Sequence, residues 1–274
     1  MALATTIETK SAKKTLEALS FKVQKEPAFT KDGKKIPGMV VVREDTRTPL
    51  SWVGDSYGLV PHHVVLEPLI EALGDDFELK HTIIEREGRR VRVDFMGKEE
   101  LSVVRGDKLR FKGSFINSLD RTQSLKFHGG AFRLLCSNGM GVFLDGYSLN
   151  ISEAHTKNLG ATVAAIDFKK ALGSVLTGFK EAVKMLQPLS EKKVDDKKAA
   201  ELTEKFMGHK AAQEILSLWT TGRGVNGEKT AWNLLNGASQ YMTDAEPNAL
   251  LPVAASIRTY KKTTDMLHAL IVLK

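Results

Sequence analysis

The hydrophobic pattern of the chain changes its period near residue 150. Before that point, the segments LKHTIIER, VRVDFMG and KLRFKGSFINS set β-branched and aromatic residues between polar ones, a pattern typical of strands. The turn EGRR that joins the first two contains a Glu-Gly step able to supply a positive φ, so these segments predict a β-hairpin. After residue 150, apolar residues recur at three- and four-residue steps, as in amphipathic helices.

The helical half predicts two long elements and, with the strands, a fold class. We predict one helix from Leu159 to Leu186, which ends before Pro188, and a second from about Lys197 to Thr220. The chain is therefore expected to be an α+β protein in which a basic antiparallel β-hairpin sheet packs against long α-helices. The expected organisation is a partly flexible N-terminal segment over 1–42, a single domain over 43–244, with strands mainly in 43–150 and helices mainly in 151–244, and a C-terminal extension over 245–274.

Positive charge is concentrated in the strand-rich part. The 274-residue chain has a formal net charge of +7, and between residues 79 and 135 thirteen basic residues face seven acidic ones, a net of +6. In KLRFKGSFINS the period-two alternation places Lys108, Arg110 and Lys112 on one face and Leu109 and Phe111 on the other. Cations two strand residues apart are spaced by about 7 Å, which matches the spacing of phosphates along a single strand.

This basic window suggests contacts with a nucleic-acid backbone, although an ordinary solvated sheet surface would carry the same charges. The phenylalanines Phe115, Phe127 and Phe132 could stack on bases, but alternation favours core positions for them. The candidate DNA-binding residues are Arg89, Arg90, Arg92, Lys108, Arg110, Lys112, Arg121, Lys126 and Arg133.

Other site chemistries find little support in the sequence. The stretch GRGVNGEKT has two glycines at phosphate-loop spacing, but Glu228 displaces the lysine and a helical pattern, not a strand, precedes it. The single cysteine, Cys136, excludes an internal disulfide, and no pair of histidines has zinc-protease spacing. We therefore expect no enzyme activity, cofactor or metal. Without a signal-peptide pattern or a run of about 20 apolar residues, we expect a cytoplasmic protein with no membrane partner.

Three ordered motifs resemble a known family. After RTPLSWVGDSYGLVPH and the basic hairpin come Asn117, Ser118 and Asp120, although Leu119 stands where members carry histidine. The resemblance spans about residues 43–244 and is to a phage- and plasmid-borne family labelled a domain of unknown function, also found in bacterial prophages. The further motif residues are Arg133, Cys136 and Asn138, followed by Thr230, Trp232 and Asn236.

The layout of basic hairpins followed by long helices is similar to phage single-strand annealing proteins of the RecT, Redβ and Erf type. That likeness implies a protein that binds and anneals single-stranded DNA in phage or plasmid recombination, assembles into a homo-oligomeric ring or filament, and works in the cytoplasm of a bacterial host. The alternative is a phage or plasmid regulatory protein whose basic patch binds an acidic host protein. A third hypothesis is a metal-independent hydrolase that acts on nucleic acid.

Overall fold

Two β-sheets supply the strands of the protein. The computed structural model describes residues 5–8, 11–104, 107–133, 141–142, 149–244 and 253–273. The larger sheet has the order β1-β5-β6-β7-β8-β10, and β9 pairs with β8. Its strands are β1 (Thr5–Glu8), β5 (Phe77–Glu85), β6 (Arg90–Ser102), β7 (Lys108–Ser118), β8 (Leu125–Arg133), β9 (Gly141–Val142) and β10 (Leu149–Glu153).

The smaller sheet is antiparallel and packs one face on a core. Its strands β2 (Val23–Phe29), β3 (Lys35–Arg43) and β4 (Pro49–Val53) are joined in the order β2-β3-β4. Register shifts between Pro27 and Ala28 and between Val41 and Val42 bend the sheet. Side chains from this sheet and from the chain beyond it form one buried cluster of Val23, Val41, Leu50, Val53, Tyr57 and Leu119.

Eight α-helices accompany the sheets in the described part of the chain. They are α1 (Ala12–Leu19), α2 (His62–Leu73), α3 (Leu159–Ala164), α4 (Phe168–Leu186), α5 (Asp196–Met207), α6 (His209–Thr221), α7 (Ala231–Asp244) and α8 (Val253–Val272). Short 3-10 turns cover Arg86–Gly88 and Gln187–Ser190. No helix among the described residues combines the length and apolar character that a membrane crossing requires.

Both predicted long helices are divided in two, which corrects the sequence-based boundaries. The stretch from Leu159 to Leu186 breaks before Asp167, whose carboxylate accepts a hydrogen bond from the backbone N–H of Lys170 at 2.9 Å and so caps α4. The second helix breaks at Gly208, which has φ 91° and separates α5 from α6. The α+β class and the antiparallel sheets packed with helices are confirmed.

The chain forms two compact units. Unit 1 contains residues 1–96, 113–128 and 149–174, and unit 2 contains 97–112, 129–148 and 175–274. Unit 1 includes the small sheet with α1, α2 and α3, while unit 2 includes α5 to α8. The domain limits expected at residues 43 and 244 stay predictions.

Candidate functional site

Three turns of unit 1 meet at one place. They follow β3 (residues 44–48), β5 (86–89) and β7 (119–124), and we call them the arginine turns. The carbonyl of Arg89 accepts a hydrogen bond from the N–H of Leu119 at 2.7 Å. The Arg89 guanidinium donates to the carbonyl of Pro49 at 3.2 Å, and that of Arg43 to the carbonyl of Glu87 at 3.1 Å. Each turn is thus bonded to at least one of the others or to the strand beside it.

The backbone of the arginine turns is conformationally strained. Among the described residues, four that are not glycine have a positive φ, and all four lie here: Arg47 (57°), Arg86 (51°), Glu87 (59°) and Arg121 (64°). The left-handed region costs an L-residue with a Cβ about 1–2 kcal/mol. Such outliers persist where surrounding contacts impose them, and they cluster at functional sites.

The turns expose guanidinium groups that acids only partly neutralise. Arg47 pairs with Glu26 at 2.7 Å, and Arg90 pairs with Asp120 at 3.2 Å. Arg86 and Arg121 are exposed and form no ion pair with any residue that the structure describes. The half-buried Arg89 donates to a carbonyl, not to a carboxylate. Three arginines therefore keep charge available for an external anion.

A buried histidine holds the second turn in place. His62, the first residue of α2, is 1% exposed, and its Nε2 lies 2.9 Å from the carbonyl oxygen of Gly88. Its Nδ1 lies 3.1 Å from Nδ2 of Asn117, which also donates to the carbonyl of Val60 at 3.1 Å. Because a carbonyl only accepts and an amide NH₂ only donates, His62 is neutral and protonated at Nε2. Burial lowers the pKa of His62 to about 4, in agreement with the neutral form.

Gly88 and Phe21 complete the support of this turn. Gly88 has φ 93°, and a Cβ added to it would lie 2.5 Å from the ring of Phe21. The guanidinium carbon of Arg43 lies 3.9 Å from the centre of the same ring, a cation–π contact. Only glycine fits between the strained backbone and the ring, as the Glu-Gly step in the sequence predicted.

The third turn is held by an aromatic pair. The hydroxyl of Tyr57 donates to the carbonyl of Ser118 at 3.1 Å, and the Tyr57 ring stacks on His155 with 5.0 Å between centres. Burial raises the pKa of Tyr57 and lowers the pKa of His155, so both groups are uncharged at neutral pH. Tyr57, His62 and Asn117 belong to the family-like segments, and here they position turns that carry charge.

The structure brings three of the nine candidate residues together. Arg89, Arg90 and Arg121 lie on or beside the arginine turns, with Arg90 engaged by Asp120 and by Glu85 at 3.6 Å. Lys126, on β8 in the same unit, is half-buried, donates to Gln123 at 3.3 Å and has its pKa lowered by burial. The side chain of Arg133 lies outside the described residues.

The remaining candidates do not form an open row of cations. Arg92 is 3% exposed and donates to both carboxylate oxygens of Asp94 at 2.7 and 2.8 Å. On β7, exposure falls from Lys108, which pairs with Glu100 at 2.7 Å, to Lys112, which is 7% exposed. Arg110 between them donates to the carbonyl of Gly97 at 2.5 Å. A buried, bonded cation cannot reach a phosphate, so Arg92 and Lys112 are not available for contacts with a nucleic-acid backbone.

Two residues of the arginine turns, Arg47 and Arg86, were not among the candidates from the sequence. Arg47 lies in the segment EDTRTP, whose Asp, Thr and Pro are turn-forming residues, and Arg86 begins the turn REG before β6. Turn residues in both segments were visible, but the meeting of separate turns depends on tertiary pairing. Phe115 and Phe127 are fully buried, which confirms their expected core positions, and the side chain of Phe132 lies outside the described part of the chain.

The motif near the C-terminal end is structural in unit 2. The indole N–H of Trp232 donates to Asp107 at 2.7 Å, and both residues are buried. Thr230 accepts from the N–H of Asn233 at 3.2 Å and caps α7, while Asn236 is buried in the same helix. GRGVNGEKT follows α6, and its Lys229 bonds Asp196 at 2.6 Å, so it is not built as a phosphate loop. Cys136 and Asn138 lie outside the described residues.

Comparison with known proteins identifies a family but no activity. A family model described as a domain of unknown function (DUF932) matches residues 49–271. Comparisons with curated proteins and with solved structures found no match. Among the described residues, no group of three or more His, Cys, Asp or Glu side chains is arranged to hold a metal ion.

Proposed function

Because the chain belongs to this family of unknown function (DUF932), its activity has to be argued from the site, and we propose that it binds single-stranded DNA through the arginine turns. The backbone phosphates would contact Arg86, Arg89 and Arg121, with Arg47 and Arg90 at the margin. Guanidinium groups suit this role, since they stay charged and donate two parallel hydrogen bonds to phosphate oxygens. Such contacts carry affinity without reading sequence.

The observation that carries the proposal is the coincidence of strain and charge. Every described residue that is not glycine and has a positive φ lies on these turns, and three of the four are arginines. Glycine or asparagine would relieve the strain at those positions. A role in folding alone gives no reason for arginine, whereas an anion-binding surface does.

The same proposal extends to annealing in phage or plasmid recombination. If phosphates bind to the arginine turns, the bases of the strand are left to pair with a complement. We propose that the protein works in the cytoplasm of a bacterial host and assembles into a homo-oligomer on DNA, so that many short contacts add along one strand. This part of the proposal is motivated by the sequence, whose order of basic hairpins and long helices resembles RecT, Redβ and Erf.

The proposal is tested by fluorescence anisotropy with a labelled oligo(dT) of about 40 nucleotides. We expect binding at low salt, with log affinity falling linearly against log salt, because each released phosphate contributes about 0.7 to the slope for a single strand. An acidic protein such as a polyglutamate chain serves as competitor. If oligo(dT) does not bind at 20–50 mM salt while polyglutamate does, the protein is a binder of acidic proteins and the DNA proposal is wrong.

A further inference from the structure

Trp52 is an exposed tryptophan on the small sheet. Its side chain is 53% exposed, whereas the other two tryptophans, Trp219 and Trp232, are 2% and 4% exposed. Burying a ring of this size is worth several kcal/mol in the core of a protein. The chain nevertheless leaves Trp52 in solvent on β4, an edge strand of the sheet.

The ring of Trp52 packs over a glycine of the neighbouring strand, which leaves room for it against the sheet. A Cβ added to Gly38 on the neighbouring strand would lie 2.8 Å from Cε2 of Trp52 and 2.9 Å from its Cζ2. Two other rings use the same arrangement, Phe95 over Gly113 and Phe111 over Gly129, but both of those rings are fully buried. Trp52 therefore has one face braced against backbone and the other face open.

The strand register connects Trp52 to the arginine turns. Glu26, Val40 and Trp52 lie opposite one another across β2, β3 and β4, and directly opposed residues share a face of the sheet. Arg47 reaches onto this row from its turn and donates to Glu26 at 3.0 Å. The charge of Glu26 is thereby matched, and this hydrogen bond lowers its pKa. The open ring lies about 10 Å, two strand spacings, from the residue that Arg47 holds.

We propose that Trp52 is a stacking platform for a base of single-stranded nucleic acid, an inference that rests on the proposed function and names the group that receives the base. A flat, braced ring with one free face suits any base, since every base has a π-face. The surroundings favour a polyanion over a second protein. Residues 22–47 contain seven basic and four acidic residues, and the row of Trp52 continues through Val40 to the Glu26–Arg47 ion pair, whereas the core of a protein interface is depleted of charged residues.

The direct test uses the intrinsic fluorescence of the wild-type protein. Acrylamide should quench Trp52 in the free protein, because the two other tryptophans are buried. Addition of unlabelled oligo(dT) should shift and quench the same component, and the change should saturate at the concentration at which anisotropy saturates. Anisotropy that saturates with no change in tryptophan emission would overturn the inference and leave the proposed function standing.

Two substitutions separate stacking from simple apolar contact. Trp52→Phe keeps a ring and should reduce affinity for oligo(dT) by less than about 5-fold, whereas Trp52→Leu removes the ring and should reduce it by about 5- to 150-fold. Val64→Leu, at another exposed apolar position, is the control and should change nothing. Melting curves verify that each variant folds. Equal affinities for Trp52→Phe and Trp52→Leu would contradict stacking.

Two further outcomes would reassign the residue. If acrylamide quenches Trp52 only on dilution, and light scattering shows a dimer at the higher concentration, a second copy of the chain covers the ring and the inference is wrong. If anisotropy detects no binding of oligo(dT) at all, the proposed function fails first, and the platform has no ligand.

Discussion

His62 makes the stability of the protein depend on pH. Its pKa is about 4 in the folded chain and about 6.5 when unfolded, so below pH 6.5 the unfolded state binds a proton that the folded state does not. The stabilisation is complete above pH 6.5 and is lost as pH falls towards 4. We expect the free energy of unfolding to fall by about 2 kcal/mol between pH 7 and pH 5 from this group, measured by urea denaturation. His155, with a pKa also lowered by burial, adds a contribution of the same sign.

The His62→Gln variant tests this assignment. It should be less stable at pH 7, because the bonds to Gly88 and Asn117 change, but its stability should fall less between pH 7 and pH 5. His209→Gln, at an exposed histidine, is the control and should keep the wild-type dependence. A His62→Gln profile parallel to that of the wild type would show that the histidine is not neutral and buried.

The positive φ of Arg121 should lower the stability of the folded chain. With φ 64°, its replacement by glycine relieves strain and should raise the free energy of unfolding by up to about 1 kcal/mol, whereas valine, which disfavours positive φ most, should lower it by about 1–2 kcal/mol. At Lys98, an exposed residue inside β6, the order should reverse, because glycine weakens strands. Denaturation midpoints that give the same order at both positions would refute strain at Arg121.

For single residues, the sequence predicted the face of the sheet on which a side chain lies but not how far that side chain is buried. Period-two alternation placed Lys108, Arg110 and Lys112 on one face of β7, opposite the buried Leu109 and Phe111, yet it could not indicate that Lys112 is covered. Coverage depends on which segments lie over the sheet, and these are distant in sequence. The carboxylate partner of Arg92, in contrast, is indicated by the sequence, because Asp94 lies two residues further along β6 and therefore on the same face.

Among the elements, strands of the large sheet depend on glycines under aromatic rings. A Cβ at Gly113 would lie 2.2 Å from the Phe95 ring, which is fully buried and cannot move outward. We expect Gly113→Ala to lower the free energy of unfolding by about 1–3 kcal/mol through overpacking. Gly160→Ala in α3, where an added Cβ meets nothing within 4 Å, is the matched control and should be neutral or stabilising. Equal melting temperatures for the two variants would contradict the close packing.

Element types were predictable from the sequence, while some boundaries were not. The strand KLRFKGSFINS is β7 from its first to its last residue, and the hairpin of β5 and β6 turns at the Glu-Gly step. The predicted helices were too long, because the apolar periodicity continues across the breaks between α3 and α4 and between α5 and α6. The cap at Asp167 and the positive φ of Gly208 interrupt the backbone without interrupting the pattern.

For the whole molecule, the apolar stripe of α4 does not supply an assembly surface. The oligomer was expected from the likeness to annealing proteins, and α4 does not supply its interface, because its apolar residues Leu172, Val175, Phe179, Val183 and Leu186 are all buried within the chain. A homo-oligomer would therefore form elsewhere. We expect light scattering to report a larger assembly on a long single strand than in the free protein, and an unchanged mass with DNA would remove the ring or filament from the proposal.

The central claim is that the arginine turns, and not the net charge, bind single-stranded DNA. Replacing Arg86, Arg89 and Arg121 together by glutamine keeps the Cβ atoms and the backbone strain but removes three charges. Replacing the exposed Lys197, Lys210 and Lys262 by glutamine removes the same charge from unit 2. Both variants should melt within a few degrees of the wild type.

The decisive measurement is the salt dependence of oligo(dT) binding by these two variants and the wild type. We predict that the arginine variant binds about 100-fold more weakly at 0.1 M salt and that its salt slope is flatter by about 2, since three phosphate contacts are lost. The lysine variant should stay within about 3-fold of the wild type with an unchanged slope. Equal losses in the two variants, or a wild-type slope in the arginine variant, would show that the arginine turns do not bind the strand.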